Sequence, residues 1–170
     1  MSRQLQAGQH GNNFQQGFSL LEIMVVMLLI ALTTSIVVLS FRHDVSQAVE
    51  YEASRFAALV GQMCEESVVQ GKIIAVTSEG PSSYLFTELT AEGWAAIGDD
   101  DLLRERRLPD DITIRLQLPA ATSAGAQIYL PCAPDGILPV FTALFSMDDL
   151  QFRVSSTETQ SIDVEQLRTN

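Results

Sequence analysis

Residues 18–41 constrain this chain more than any other stretch. The run FSLLEIMVVMLLIALTTSIVVLSF is 24 residues long, and only Glu22 in it is charged. At about 1.5 Å of rise per residue, a helix of this length covers roughly 36 Å, enough to cross a hydrocarbon layer of about 30 Å. A core helix in so small a chain would not be apolar on every face. A secretory signal peptide has an apolar core of only about 7–15 residues, with a small-residue cleavage site behind it. The run therefore reads as membrane-length. Its one acid needs a reason, because a carboxylate at the centre of a membrane helix costs about 3 kcal/mol, and less toward the ends.

A cut between Gly17 and Phe18 would supply that reason. The new α-amino group would lie one helical turn from Glu22 on the same face, so the two charges could neutralise each other within one subunit or between neighbours. Without a cut, Glu22 has no evident partner, since Arg3 is distant in a polar leader. The run then reads as a plain signal anchor.

The segment Gly17-Phe18-Ser19-Leu20-Leu21-Glu22, at the mouth of an apolar run, resembles the processing site of type IV pilins and of the pseudopilins of type II secretion. That resemblance implies a prepilin peptidase that cuts after Gly17 and methylates Phe18. It gives Glu22 the task of setting register between neighbouring subunits. It packs Leu20, Leu21, Ile23, Val26, Leu29 and Ile30 first in the membrane and then in a fibre core. Residues 1–17 become a leader peptide, 18–41 the membrane and assembly half of a helix, 42–71 its periplasmic half, and 72–170 a β-rich head. The leader is placed in the cytoplasm and the head in the periplasm, with a single pass through a bacterial inner membrane. Loop charges alone do not decide this orientation, because Arg3 on one side faces Arg42 on the other.

Of the 21 acids only Glu22 precedes Arg42, and of the ten bases only Arg3 does. The remainder thus carries 20 acids against 9 bases, a surface that repels nucleic acid and anionic lipid heads. Two cysteines, Cys64 and Cys132, fall in this part. In an oxidising compartment they could pair, but sequence does not give the distance between them. Cys64 lies on an apolar helix face and is read as a small core residue in preference to half of a bridge.

The helix continues past Phe41. Val45, Val49, Phe56, Val60, Met63 and Ser67 recur at spacings of three, four and seven, one buried stripe. Asp44, Glu50, Glu52, Arg55, Glu65 and Glu66 are read onto the wet side. That acidic face is either a docking surface for a partner subunit or an ordinary solvated face. Val69-Gln70-Gly71 reads as the helix end, with Gly71 free to take the left-handed cap. Seven strands follow: Ile73–Thr77, Tyr84–Leu89, Ile112–Leu118, Gln127–Leu130, Leu138–Phe145, Leu150–Val154 and Ser161–Val164. Residues 94–111 form a charged connection. The fold expected is α+β: a long N-terminal helix packed on antiparallel sheets, in the lollipop shape of pilins.

Gly93-Trp94, Leu102-Leu103-Arg104 and Leu108-Pro109, with Ile128-Tyr129-Leu130-Pro131 and Pro134-Asp135-Gly136, resemble the family that joins the H-type minor pseudopilins to certain minor pilins. Pro131-Cys132-Ala133 departs from the aromatic more usual before the Pro-Asp-Gly turn. The resemblance implies a structural subunit at or near the tip of a periplasmic pseudopilus that pushes folded exoproteins through an outer-membrane secretin. Its partners would be other minor pseudopilins, the major pseudopilin, the prepilin peptidase and the inner-membrane assembly platform. A minor type IV pilin in pilus biogenesis or DNA uptake is the alternative from the same family. A membrane-anchored periplasmic binding domain is the alternative from outside it.

Catalysis finds little to work with. Beyond the leader the only histidine is His43, so no nucleophile has a base assured. Two cysteines and one histidine, widely scattered, do not make a zinc site, and no phosphate-cradling glycine loop occurs. The chain is read as no enzyme, without cofactor or metal. Asp99-Asp100-Asp101 and Asp110-Asp111 could offer oxygens to calcium. However, Arg104, Arg106 and Arg107 lie between the two groups, and a solvated loop with local charge pairing is the simpler reading. Those arginines are the one basic cluster; Glu105 and the aspartates around them, with the net charge of −11, argue against nucleic acid.

Overall fold

The computed structural model describes residues 19–98, 100–109, 111–119, 127–157 and 161–167, with backbone alone for 34–44. The chain divides into two units, one ending at Phe41 and one beginning at Arg42. A single helix, α1 (Leu20–Gln70), contributes to both.

In the first unit the helix is apolar all round and open. Leu20 and Leu21 are 79% and 71% exposed, and every large apolar residue described from Ile23 to Leu32 is exposed too. Among the described residues no helix is long and apolar enough to cross a membrane; the apolar run read from the sequence extends into positions outside that set. The hydroxyl of Thr33 donates to the carbonyls of Leu29 and Ile30, both at 3.0 Å, so the helix itself satisfies that polar group.

In the second unit the helix buries Val49, Ala53, Phe56, Val60, Met63 and Ser67. Their spacings of four and three keep one seam on one face. Glu52, expected on the wet side, is instead 4% exposed and ion-paired to Arg55 at 3.0 Å. It flanks the seam together with Leu59, one heptad on. The helix ends as expected. Gly71 has φ +66, and the Lys72 N–H donates to the Ser67 carbonyl at 3.2 Å, the 6→1 bond of a Schellman cap.

Nine strands follow: β1 (Ile74–Ser78), β2 (Ser83–Thr90), β3 (Gly93–Ala96), β4 (Arg106–Arg107), β5 (Thr113–Gln117), β6 (Tyr129–Cys132), β7 (Thr142–Met147), β8 (Leu150–Ser156) and β9 (Ile162–Leu167). One sheet has the order β3-β2-β1-β6, with β4 also pairing β2. The other runs β5-β7-β8-β9, and all pairs are antiparallel. Phe56 is the meeting point. Its ring lies 5.2 Å from Tyr84 of the first sheet and 5.4 Å from Phe145 of the second, with Phe141 at 6.5 Å. Ile74, Val76, Phe86 and Leu130 complete the inner face of the first sheet, and Ile114, Leu116, Phe152 and Val154 that of the second.

Three expectations need correction. Residues 94–111 are not only a connection, since β4 and all of β3 but its first residue lie within them. Leu138–Phe145 does not form one strand, because the ladder starts at Thr142. Pro139 has no N–H to offer a ladder, and Ser156 takes over: its Oγ accepts from the Phe141 N–H and donates to the Pro139 carbonyl, both at 3.1 Å. Cys64 and Cys132 are not separate thiols but a disulfide, with Cα atoms 5.3 Å apart. It ties the last turns of α1 to β6.

The outer face of the first sheet was not foreseen. Trp94 on β3 and Tyr129 on β6 stack with centroids 4.8 Å apart and planes 9° from parallel. The two strands flank the β2–β1 pair, and neighbouring strands lie about 4.8 Å apart, so the rings reach across two strands. Small residues on the same face, Ala75, Thr77 and Thr87, leave room for this and are themselves buried.

Candidate functional site

Gly17 and Phe18, the expected processing pair, lie outside the described residues. Just past them the Ser19 carbonyl accepts the N–H groups of Glu22 at 2.9 Å and Ile23 at 3.2 Å. Ser19 therefore opens α1, and Glu22 stands in its first turn, three residues on, at the capping-box spacing. The positive end of the helix dipole favours an acid there. Glu22 is exposed, as are the expected core-packing residues Leu20, Leu21, Ile23, Val26, Leu29 and Ile30. These apolar side chains point around the whole circumference, so each needs a partner from outside the chain or a lipid to cover it.

Many polar groups of the second unit are engaged in structure, although Glu52 Oε2, Thr77 Oγ1, the Tyr84 hydroxyl oxygen and Arg106 Nε are buried without a hydrogen-bond partner among the described residues. Glu52, Arg55, Tyr84 and Arg106 interact beneath β2 and β4. Burial pushes the Tyr84 hydroxyl above the usual phenol range, against the opposing pull of the Arg55 guanidinium. Of the arginine cluster, Arg106 folds back to donate to the carbonyls of Asp101 at 3.2 Å and Leu102 at 3.1 Å. Arg107 faces Glu105 at 3.4 Å, and Arg104 is exposed. The cluster thus presents no continuous basic surface. Asp100 caps the turn that buries Leu103: its Oδ1 accepts the N–H groups of Leu102 and Leu103 at 2.6 and 2.9 Å. Those two bonds hold its carboxyl below the usual range. Asp99 and Asp110 lie outside the described residues; among the described ones no three acids, histidines or cysteines gather as metal ligands. His43 also lies among the side chains not described.

The end of α1 is the best-built corner of this unit. The Ser67 hydroxyl donates to the Cys132 carbonyl at 2.8 Å and is also close to the Lys72 carbonyl, beside the Cys64–Cys132 bond. Next along the chain, Pro134-Asp135-Gly136 turns tightly. The Asp135 carboxylate accepts the Ile137 N–H at 3.0 Å, and Gly136, with φ +79, donates to the Ala133 carbonyl at 2.8 Å. Sequence reading marked this turn and the helix end separately. That they meet was legible only if the two cysteines were taken as a pair.

Taken together, a capped amino-terminal helix with uncovered apolar sides, and a head of two antiparallel sheets around the rest of that helix, define a pilin-like architecture. The comparisons narrow this further. Residues 12–38 match the prokaryotic N-terminal methylation motif. The type II secretion system protein H of Aeromonas hydrophila is 31% identical over 109 residues, a match covering 61% of this chain and 58% of that protein. The chain thus spans a little under three fifths of the relative's length. Two solved structures of the minor pseudopilin EpsH from the type II secretion system of Vibrio cholerae superpose with TM-scores of 0.57 and 0.58 at 19% identity. They cover 69% and 74% of this chain, and 96% and 97% of theirs. The fold is that of these pseudopilins.

Proposed function

We propose that the protein is a structural minor pseudopilin of type II secretion, of the H kind. It is made with a leader that the prepilin peptidase removes after Gly17, and Phe18 becomes the methylated amino terminus. The apolar half of α1 holds it in the inner membrane with the head in the periplasm. It then leaves the bilayer for the short pseudopilus, at or near the tip, among other minor pseudopilins and the major one. In that position it helps to drive folded exoproteins through the outer-membrane secretin.

One conjunction carries the reading: a methylation motif over residues 12–38 joined to a head of the EpsH fold. The uncovered apolar sides of Leu20 to Leu32 fit a helix that exchanges lipid for neighbouring subunits. Glu22 then pairs with the new amine of Phe18, its own or a neighbour's, which both neutralises a charge in the membrane and fixes axial register.

The test is the intact mass and amino-terminal residue of the full chain, made with and without a prepilin peptidase. A product beginning at N-methylated Phe18 only when the peptidase is present supports the reading. A chain that keeps residues 1–17 in both would overturn it. Glu22→Leu should still be processed but should drop out of the assembled fibre.

A further inference from the structure

The last turn of α1 departs from two physical rules, and both departures face the same way. The C-terminal end of a helix is the negative pole of its dipole, where bases are favoured and acids are not. Here the last turn has no base, and Glu65 and Glu66 lead into it. Lys72, the first base beyond the end, is held by Glu88 at 2.8 Å. The second departure is apolar: Val68, Val69 and Ile137 are 50%, 80% and 58% exposed. Val68 and Val69 follow Glu65 by three and four positions and so share its face. The 134–137 turn comes to the same corner, because a Cβ at Gly136 would lie 3.4 Å from Val68 Cγ2.

This corner is stiff. The Cys64–Cys132 bond, the Ser67 hydroxyl and the glycine cap fix it from three sides. Little order would be lost on binding there. We propose that it docks a different protein, through a segment that sets an apolar side chain beside a lysine or arginine. The valines and Ile137 take the apolar group, while Glu65, Glu66 and the helix pole take the cation. A second copy of this chain fits poorly, since each carries a net charge of −11 and like charges repel.

The test uses the full chain in its native host, with a benzophenone amino acid in place of Val69 and, as a control, in place of exposed Leu89. Mass spectrometry identifies the crosslinked peptide, and the amino-terminal peptide read in the same spectra reports processing at Phe18 separately. The expected product joins position 69 to another protein at an apolar residue within a few positions of a lysine or arginine. Glu65→Lys should cut its yield by about tenfold, yet raise the melting temperature, because it relieves the helix pole. A crosslink to a second copy, a peptide lacking a base, or a yield no higher than from position 89 would overturn the proposal. So would an unchanged yield or a lowered melting temperature in Glu65→Lys.

Discussion

Reducing the Cys64–Cys132 bond should cost the head a large share of its stability. The two residues are 68 apart in sequence, and closing a loop of that length removes about 4 kcal/mol of chain entropy from the unfolded state at 25 °C. Domains are typically stable by about 5–15 kcal/mol in all, so the reduced head is left marginal. Residues 42–170 unfold with roughly 2.1 cal/mol/K of entropy each, which converts the loss to a fall in melting temperature of about 15 °C. The assay is thermal unfolding of the full chain in detergent, with and without a phosphine reductant, and again as the Cys64→Ala/Cys132→Ala double variant. Trp94, the only tryptophan, reports through its stack on Tyr129. A fall under about 5 °C, well short of the loop-entropy expectation, would refute the reasoning. So would two titratable thiols in protein recovered from an oxidising compartment.

Two further expectations concern single residues. Gly136→Ala should lower stability by about 1–2 kcal/mol in urea unfolding, because φ +79 disfavours a side chain, while the new methyl would meet Val68 only at an ordinary contact distance of 3.4 Å. Asp100 contributes stability at pH values above the usual carboxylate pKa, since its folded pKa is lowered by the backbone bonds from Leu103 and Leu102. That contribution is lost as the pH falls through the folded value. The stability gap between wild type and Asp100→Asn should therefore be full at neutral pH and shrink below roughly pH 4, read by unfolding at stepped pH.

Local signals carried the parts of the fold that depend on local physics. The seam from Val49 to Ser67 follows from a spacing of three and four, and its end from a glycine, which takes a positive φ without a steric cost. The strand Thr113–Gln117 shows in its alternation of buried Ile114 and Leu116 with exposed Arg115 and Gln117. What was missed depends on partners distant in sequence. Arg106–Arg107 is a strand only because Ser83 and Tyr84 offer it a ladder, and two charged residues give no periodicity of their own. Leu138 and Phe141 are buried as a strand would be, but Pro139 between them denies a ladder bond and a serine fifteen residues on from Phe141 supplies the substitute. Glu52 lies on the flank of the apolar seam, where burial is decided by what packs over it. At the amino terminus Gly17, Phe18 and Glu22 stand within the stretch that matches the methylation motif, a signal carried by adjacency in the chain. The corner around Val68 and Ile137 was not, because only the disulfide brings its pieces together.

The disulfide also reroutes force. Strands β1 to β6 all lie between residues 64 and 132, so the bridge encloses the whole first sheet in a covalent side loop. Tension that arrives along α1 crosses the sulfur atoms to Cys132 and continues directly toward β7, β8 and β9. The first sheet, with its aromatic lid and its packing on Phe56, is spared that pull. A head loaded through its helix can thus bear tension without its larger sheet unravelling in series.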